Sequence, residues 1–219
     1  MRTVLLRGLP AALLAVLSLT TATPAHAAET VTLTEAVARL PLATESRDGY
    51  TREAFKHWTA GDDPADGCTT RNEVLIHEAV EAPAVGPRCR LTGGTWWSYY
   101  DQTTVTSASG LDIDHMVPLA EAWDSGASAW TAQRREAYAN DQGAEASLIA
   151  VTARSNRSKA DQDPAQWMPP ASDVHCRYAA EWTGTKLRWN LSVDDAERAA
   201  LNDLAAACPD QTVTYRPAA

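Results

Sequence analysis

Basic residues are scarce in this chain of 219: 19 lysines and arginines stand against 28 aspartates and glutamates, a formal net charge of −9. That balance excludes a strongly basic protein that coats nucleic acid, because the long-range field repels phosphate. Any chemistry on nucleic acid must come from a local site. The four cysteines contain no C-x-x-C pair, which argues against a structural zinc site. Neither H-E-x-x-H nor a cluster of histidines occurs, which weakens a zinc hydrolase. The acidic segment GDDPADGC at residues 61–68 has neither the spacing nor the closing glutamate of an EF-hand, so it reads as a solvated loop. Internal repeats, low-complexity tracts and long linkers are also missing, and one compact unit is expected. The hydrophobic share of 45% suits a globular protein and is too high for a disordered tail.

The first residues read as an address. Arg2 and Arg7 precede an apolar run at residues 11–19, and the small-residue triplet Ala25, His26, Ala27 follows. This is a secretory signal pattern whose apolar core is too short to span a membrane. Cleavage after Ala27 removes two arginines and no acid, leaving 192 residues with a net charge of −11. Residues 28–219 are then a single secreted domain with no membrane association. In an oxidising compartment four cysteines suggest two disulfides, with three connectivities open. Local pairing of Cys68 with Cys89 and of Cys176 with Cys208 is the simplest. Residues 172–190 and 192–208 both read as helices, and in an antiparallel helical hairpin the start of the first lies beside the end of the second. Cys176 and Cys208 hold those positions.

Periodicity predicts short helices over residues 32–40 and 50–58, and leaves 72–80 ambiguous between helix and strand. Residues 93–106 carry Trp96, Trp97, Tyr99 and Tyr100 with β-branched neighbours, the composition of a hairpin. Those aromatics suit core packing, although in a secreted protein such a run can also bind sugars. Alternation predicts a strand from Leu111 broken at Pro118, a surface helix over 131–139, a strand over 147–152 and a helix over 154–161.

The chemically dense features are Asp114-His115 at the end of one strand and Ser155-Asn156-Arg157-Ser158-Lys159 after the next. A carboxylate, an imidazole and an amide oxygen beside a basic helix suit metal-assisted phosphodiester cleavage. A hard divalent ion takes oxygen ligands such as Asp114 and Asn156, and a neutral His115 removes a proton from the attacking water. The ion stabilises charge developing on the phosphate. Asn156 also fits a helix N-cap, a duty the same oxygen cannot share with a metal. Asp112 faces the same way as Asp114 and is a further ligand or a solvated acid. Consecutive strand residues point to opposite faces, so convergence of Asp114 and His115 requires the strand to bend or end there. His57, His77 and His175 read as structural or surface residues, and of the remaining tryptophans only Trp167 invites a nucleic-acid contact.

The segments DIDHMVPLAEAW and LIAVTARSNRSKADQDPAQWMPP resemble the HNH endonuclease superfamily with its ββα-metal (His-Me finger) motif. The likeness is greatest to secreted bacterial HNH proteins related to the GmrSD-type C-terminal domain. The specific part covers residues 111–170. This resemblance implies an α+β fold with a ββα-metal core, added helices and a C-terminal antiparallel helical hairpin. It implies a secreted endonuclease that hydrolyses DNA, with RNA as an alternative substrate, leaving a 5′-phosphate and a 3′-hydroxyl. By the same resemblance His115 is the general base, Asp114 and Asn156 hold Mg2+ or Mn2+, and Lys159, with Arg157 and Arg154, contacts phosphate. The family's middle asparagine, which orients the histidine through the backbone, has no direct counterpart: either Asn140 reaches across or Ser147 substitutes. The rival reading is a secreted module that keeps the fold without turnover and binds envelope glycans through the tryptophan and tyrosine pairs.

Overall fold

A computed structural model describes residues 27–218, so the expected signal segment lies outside the described residues except for Ala27. The chain forms a mixed α+β fold. Its elements in order are β1 (Glu29–Thr32), α1 (Leu33–Arg39), α2 (Thr70–His77), β2 (Ala84–Gly86), β3 (Arg90–Thr92), β4 (Trp96–Ser98) and β5 (Thr103–Val105). There follow β6 (Leu111–His115), α3 (Leu119–Asp124), α4 (Ala132–Ala139), β7 (Leu148–Thr152) and α5 (Ala153–Lys159). The chain ends with α6 (His175–Trp189), α7 (Asp195–Ala207) and β8 (Thr212–Tyr215). The strands pair two by two, all antiparallel: β1 with β8, β2 with β3, β4 with β5, and β6 with β7.

Helix starts follow from side chains that satisfy orphan backbone amides. Thr32 and Glu35 form a capping box on α1, Thr152 caps α5 through the Ser155 amide, and Asp194 caps α7 through the Glu197 amide. Helix α6 stops at Asn190, which takes the left-handed conformation at φ +53°. Residues 50–58, expected as a helix, form only a single 3-10 turn at Arg52–Ala54. Phe55 enters the core and Trp58 stacks on His115, so the apolar spacing there serves packing of an irregular segment. The ambiguous stretch begins as helix α2, capped by Thr69.

The β6–β7 hairpin separates two apolar clusters. Leu111, Ile113, Leu148 and Ala150 pack with Val74, Leu75 and Trp96 on one side. Ile149 and Val151 join the main core on the other side, with Tyr178, Trp182 and Leu201 from α6 and α7. Disulfides join Cys68 to Cys89 and Cys176 to Cys208, the local pairing; the second ties the start of α6 to the end of α7. The aromatic run is a hairpin whose side chains mostly point inward. Trp96, Tyr99 and Tyr100 are buried and only Trp97 is exposed, which removes the surface a glycan-binding reading needs. Among the described residues no helix is long and apolar enough to cross a membrane.

Candidate active site

Strand β6 stays regular through its last residue, with Asp114 opposite Ile149 and His115 opposite Leu148. The two side chains leave opposite faces of the strand, which ends at His115, the second of the two conditions for Asp114 and His115 to serve one site. His115 lies on the face of Leu111 and Ile113, whereas Asp112 and Asp114 face α5.

His115 is fixed on every side. Its ring stacks between Trp58, 5.3 Å away at 26°, and Tyr138, 6.4 Å away at 19°. Trp58 reaches this position from a left-handed backbone at φ +57°. His115 Nε2 lies 2.9 Å from the Ala139 carbonyl oxygen, which only accepts, so Nε2 carries the proton. Nδ1 keeps its lone pair and makes no hydrogen bond among the described residues. Burial pushes the imidazole pKa down to about 3, with the nearby His57 ring adding to the effect and the Ala139 bond opposing it. The ring is neutral at physiological pH.

The residues proposed to orient His115 act differently. Asn140 does not touch the ring; its amide donates to the carbonyls of Lys56 and Glu136, and its Oδ1 accepts from the Thr59 amide and the Thr70 hydroxyl. These bonds lock the end of α4 against the N-terminal segment and so hold the neighbouring Ala139 carbonyl in place. The Ser147 hydroxyl donates to Asp141 at 2.7 Å, and its carbonyl accepts from the Met116 amide at 3.0 Å, next to His115. Sequence reasoning missed Trp58, Tyr138 and Ala139. Trp58 is remote in sequence from the motif, and a backbone acceptor carries no residue signature.

On the opposite face, α5 lays Asn156 over Asp112 and, one turn later, Lys159 over Asp114. Asn156 Nδ2 donates to Asp112 Oδ2 at 3.3 Å, and Arg157 reaches the same oxygen at 3.3 Å. Because Thr152 caps the helix, Asn156 is released from that duty, and its Oδ1 makes no hydrogen bond among the described residues. Lys159, expected on a phosphate, is instead sealed inside the protein. Its ammonium donates to Asp114 Oδ2 and to the carbonyls of His115 and Met116 at 3.1 and 2.8 Å. Tyr100, Tyr178 and Trp182 surround it. Three acceptors require the charged form. The Tyr100 hydroxyl donates to the same Asp114 oxygen at 2.6 Å. Burial raises the Asp114 pKa and lowers that of Lys159, each opposed by the other's charge. Arg154 and Arg157 remain exposed on α5. Trp167 packs on Tyr100 and Tyr178 and donates to the Ser158 hydroxyl at 3.2 Å.

The sequence pattern of the C-terminal domain of GmrSD restriction endonucleases matches residues 88–204, just over half of the chain. The chain belongs to this family. It is also 41% identical, over 162 residues, to an uncharacterized secreted protein of Arthroderma benhamiae; the match covers 74% of this chain and 77% of that protein. No solved structure matches. The family is nuclease-related, and its span contains β6, β7 and α5. Trp58, His57 and Cys68 fall outside it.

Proposed function

We propose that the protein is a secreted endonuclease that hydrolyses phosphodiester bonds of DNA, with β6, β7 and α5 as a ββα-metal core. The observation that carries this reading is the geometry of His115: the Ala139 carbonyl accepts the Nε2–H hydrogen bond and leaves the lone pair on Nδ1. A positioned neutral imidazole is a competent acceptor for the proton of an attacking water. The Ala139 carbonyl stabilises the imidazolium that forms, and Trp58 and Tyr138 hold the ring plane against rotation. Arg154 and Arg157, exposed on α5, are placed to meet a phosphate backbone.

The oxygens left over on the α5 face fit a hard divalent ion. Asn156 Oδ1 and Asp114 Oδ1 make no hydrogen bond among the described residues, and Asp112 lies beside Asn156. Asp114 and Asn156 would hold Mg2+ or Mn2+, with Asp112 as a further donor, and the ion would draw charge from the phosphate and leaving oxygen. Lys159 sets the Asp114 carboxylate in place and does not reach substrate.

Plasmid nicking by the secreted protein with magnesium is the test. Wild type should nick and lose activity to chelator, and His115→Ala should lower the rate at least about a hundredfold, the usual contribution of a general base. Equal nicking by wild type and His115→Ala would refute the assignment.

A further inference from the structure

A group of acids unrelated to the His115 site lies where the loop after α1 meets the end of α3. One carboxylate oxygen each from Glu45, Glu121 and Asp124 lies within 4.8 Å of the others. Among the described residues this is the one such group of acidic, histidine or cysteine ligands. Proximity of acids is not by itself a site. Here a second observation accompanies it: Asp124 Oδ1 is fully buried and receives no hydrogen bond, although Oδ2 of the same carboxylate accepts from Arg47 at 2.6 Å. The Asp124 side chain is 8% exposed, and a buried carboxylate oxygen of this kind calls for a partner.

The charges around it do not balance. Lys186 Nζ reaches Glu121 at 2.8 Å and Glu197 at 2.5 Å, and Arg47 covers Asp124. Two cations thus face four carboxylates, and Asp161 and Asp194 lie nearby with the same sign. The local deficit is two positive charges.

We propose that Glu45, Glu121 and Asp124 form a structural divalent-cation site of the calcium type, pinning the loop after α1 to α3. All donors are oxygen, which disfavours zinc, and a half-exposed loop glutamate facing a short helix supplies the adaptable geometry that calcium accepts. The Ser125 hydroxyl, which donates to Glu121 at 2.9 Å and lies 3.5 Å from Glu45, is a further oxygen in the group. The half-exposed Glu45 side gives an entry path. The site shares no residue with Asp112, Asp114, His115 or Asn156, so it stands or falls independently of nuclease activity.

Calorimetric titration with calcium and thermal unfolding with and without it test the proposal. Wild type should bind one calcium at this site, and its Tm should rise by about 5 °C when calcium is about a hundredfold above Kd. Glu45→Gln and Asp124→Asn should each remove the shift while keeping the wild-type circular dichroism, and Asn156→Ala should keep it. No calcium effect up to about 10 mM, about tenfold above the weak limit of extracellular sites, would overturn the proposal. So would an equal shift in Glu45→Gln, or loss of the shift in Asn156→Ala.

Discussion

Removing the Lys159 ammonium would leave the Asp114 carboxylate buried with only the Tyr100 hydroxyl on its bonded oxygen. A buried charge stripped of its partner costs about 3–5 kcal/mol, whereas an exposed ion pair is worth about 1 kcal/mol or less. Lys159→Met should therefore lower unfolding free energy in urea by about 3–5 kcal/mol. The double variant Asp114→Asn, Lys159→Met should lose much less than the two single losses together, because no charge is left unpaired. A lysine serving only as a phosphate contact would show neither effect, and a stability within about 0.5 kcal/mol of wild type would return Lys159 to the surface role its sequence suggests. The signal that Lys159 is internal lies in a register. Asn156 and Lys159 are three apart on a helix, and Asp112 and Asp114 are two apart on a strand, so two polar pairs meet face to face. Read as part of a basic run, the same lysine passes for a solvated cation.

At the scale of elements, Glu78 just beyond α2 is the clearest pH-sensitive joint in the hairpin's support. Its carboxylate accepts from the Ala150 amide on β7 at 2.8 Å, and burial pushes its pKa up to about 7, opposed by that bond. A raised carboxyl binds its proton more tightly in the folded state than in the unfolded one, so the stability it contributes is full below about 4.5 and is lost as pH rises through about 7. Thermal unfolding at about pH 5 and about pH 8.5 should show a larger fall in wild type than in Glu78→Gln, the difference being at most about 3 kcal/mol. Parallel slopes in the two proteins would rule this out. Strands β6 and β7 and helices α5 to α7 were legible in the sequence because each shows its own period over a local window. The terminal pair β1–β8 was not, since its partners are at least 180 residues apart and neither strand has a strong local pattern. Residues 50–58 misled for the opposite reason: Tyr50, Phe55 and Trp58 have helical spacing, but Tyr50 and Phe55 pack together on Trp123, with Phe55 also on Tyr138, while Trp58 turns to His115. The identity of His115 was legible, and its tautomer was not, because the deciding partner is a main-chain oxygen.

The whole molecule is closed by contacts that lie partly outside the family's span at residues 88–204. Strand β1 pairs with β8, Trp58 covers His115, and Cys68 ties the start of α2 to Cys89. The other disulfide, Cys176–Cys208, spans a sequence separation of 32 and clamps the α6–α7 hairpin. That hairpin carries Trp182 and Lys186 into the core, where Lys186 holds Glu121 at the head of the chain's acidic cluster and Trp182 donates to Glu197. In the chain-entropy account a loop of this size is worth about 3–4 kcal/mol, and the Cys68–Cys89 loop, with a separation of 21, nearly as much. The two are therefore separated by packing more than by entropy. Opening Cys68–Cys89 releases a loop at the edge of the smaller cluster, whereas opening Cys176–Cys208 also loosens the helices around two buried lysines. The double variant Cys176→Ala, Cys208→Ala should lower Tm by about 10 °C, and Cys68→Ala, Cys89→Ala by less. Scanning calorimetry of both variants beside wild type, with and without reductant, measures this. If the two variants lose the same Tm, the hairpin is held by its own packing and the clasp adds only loop entropy.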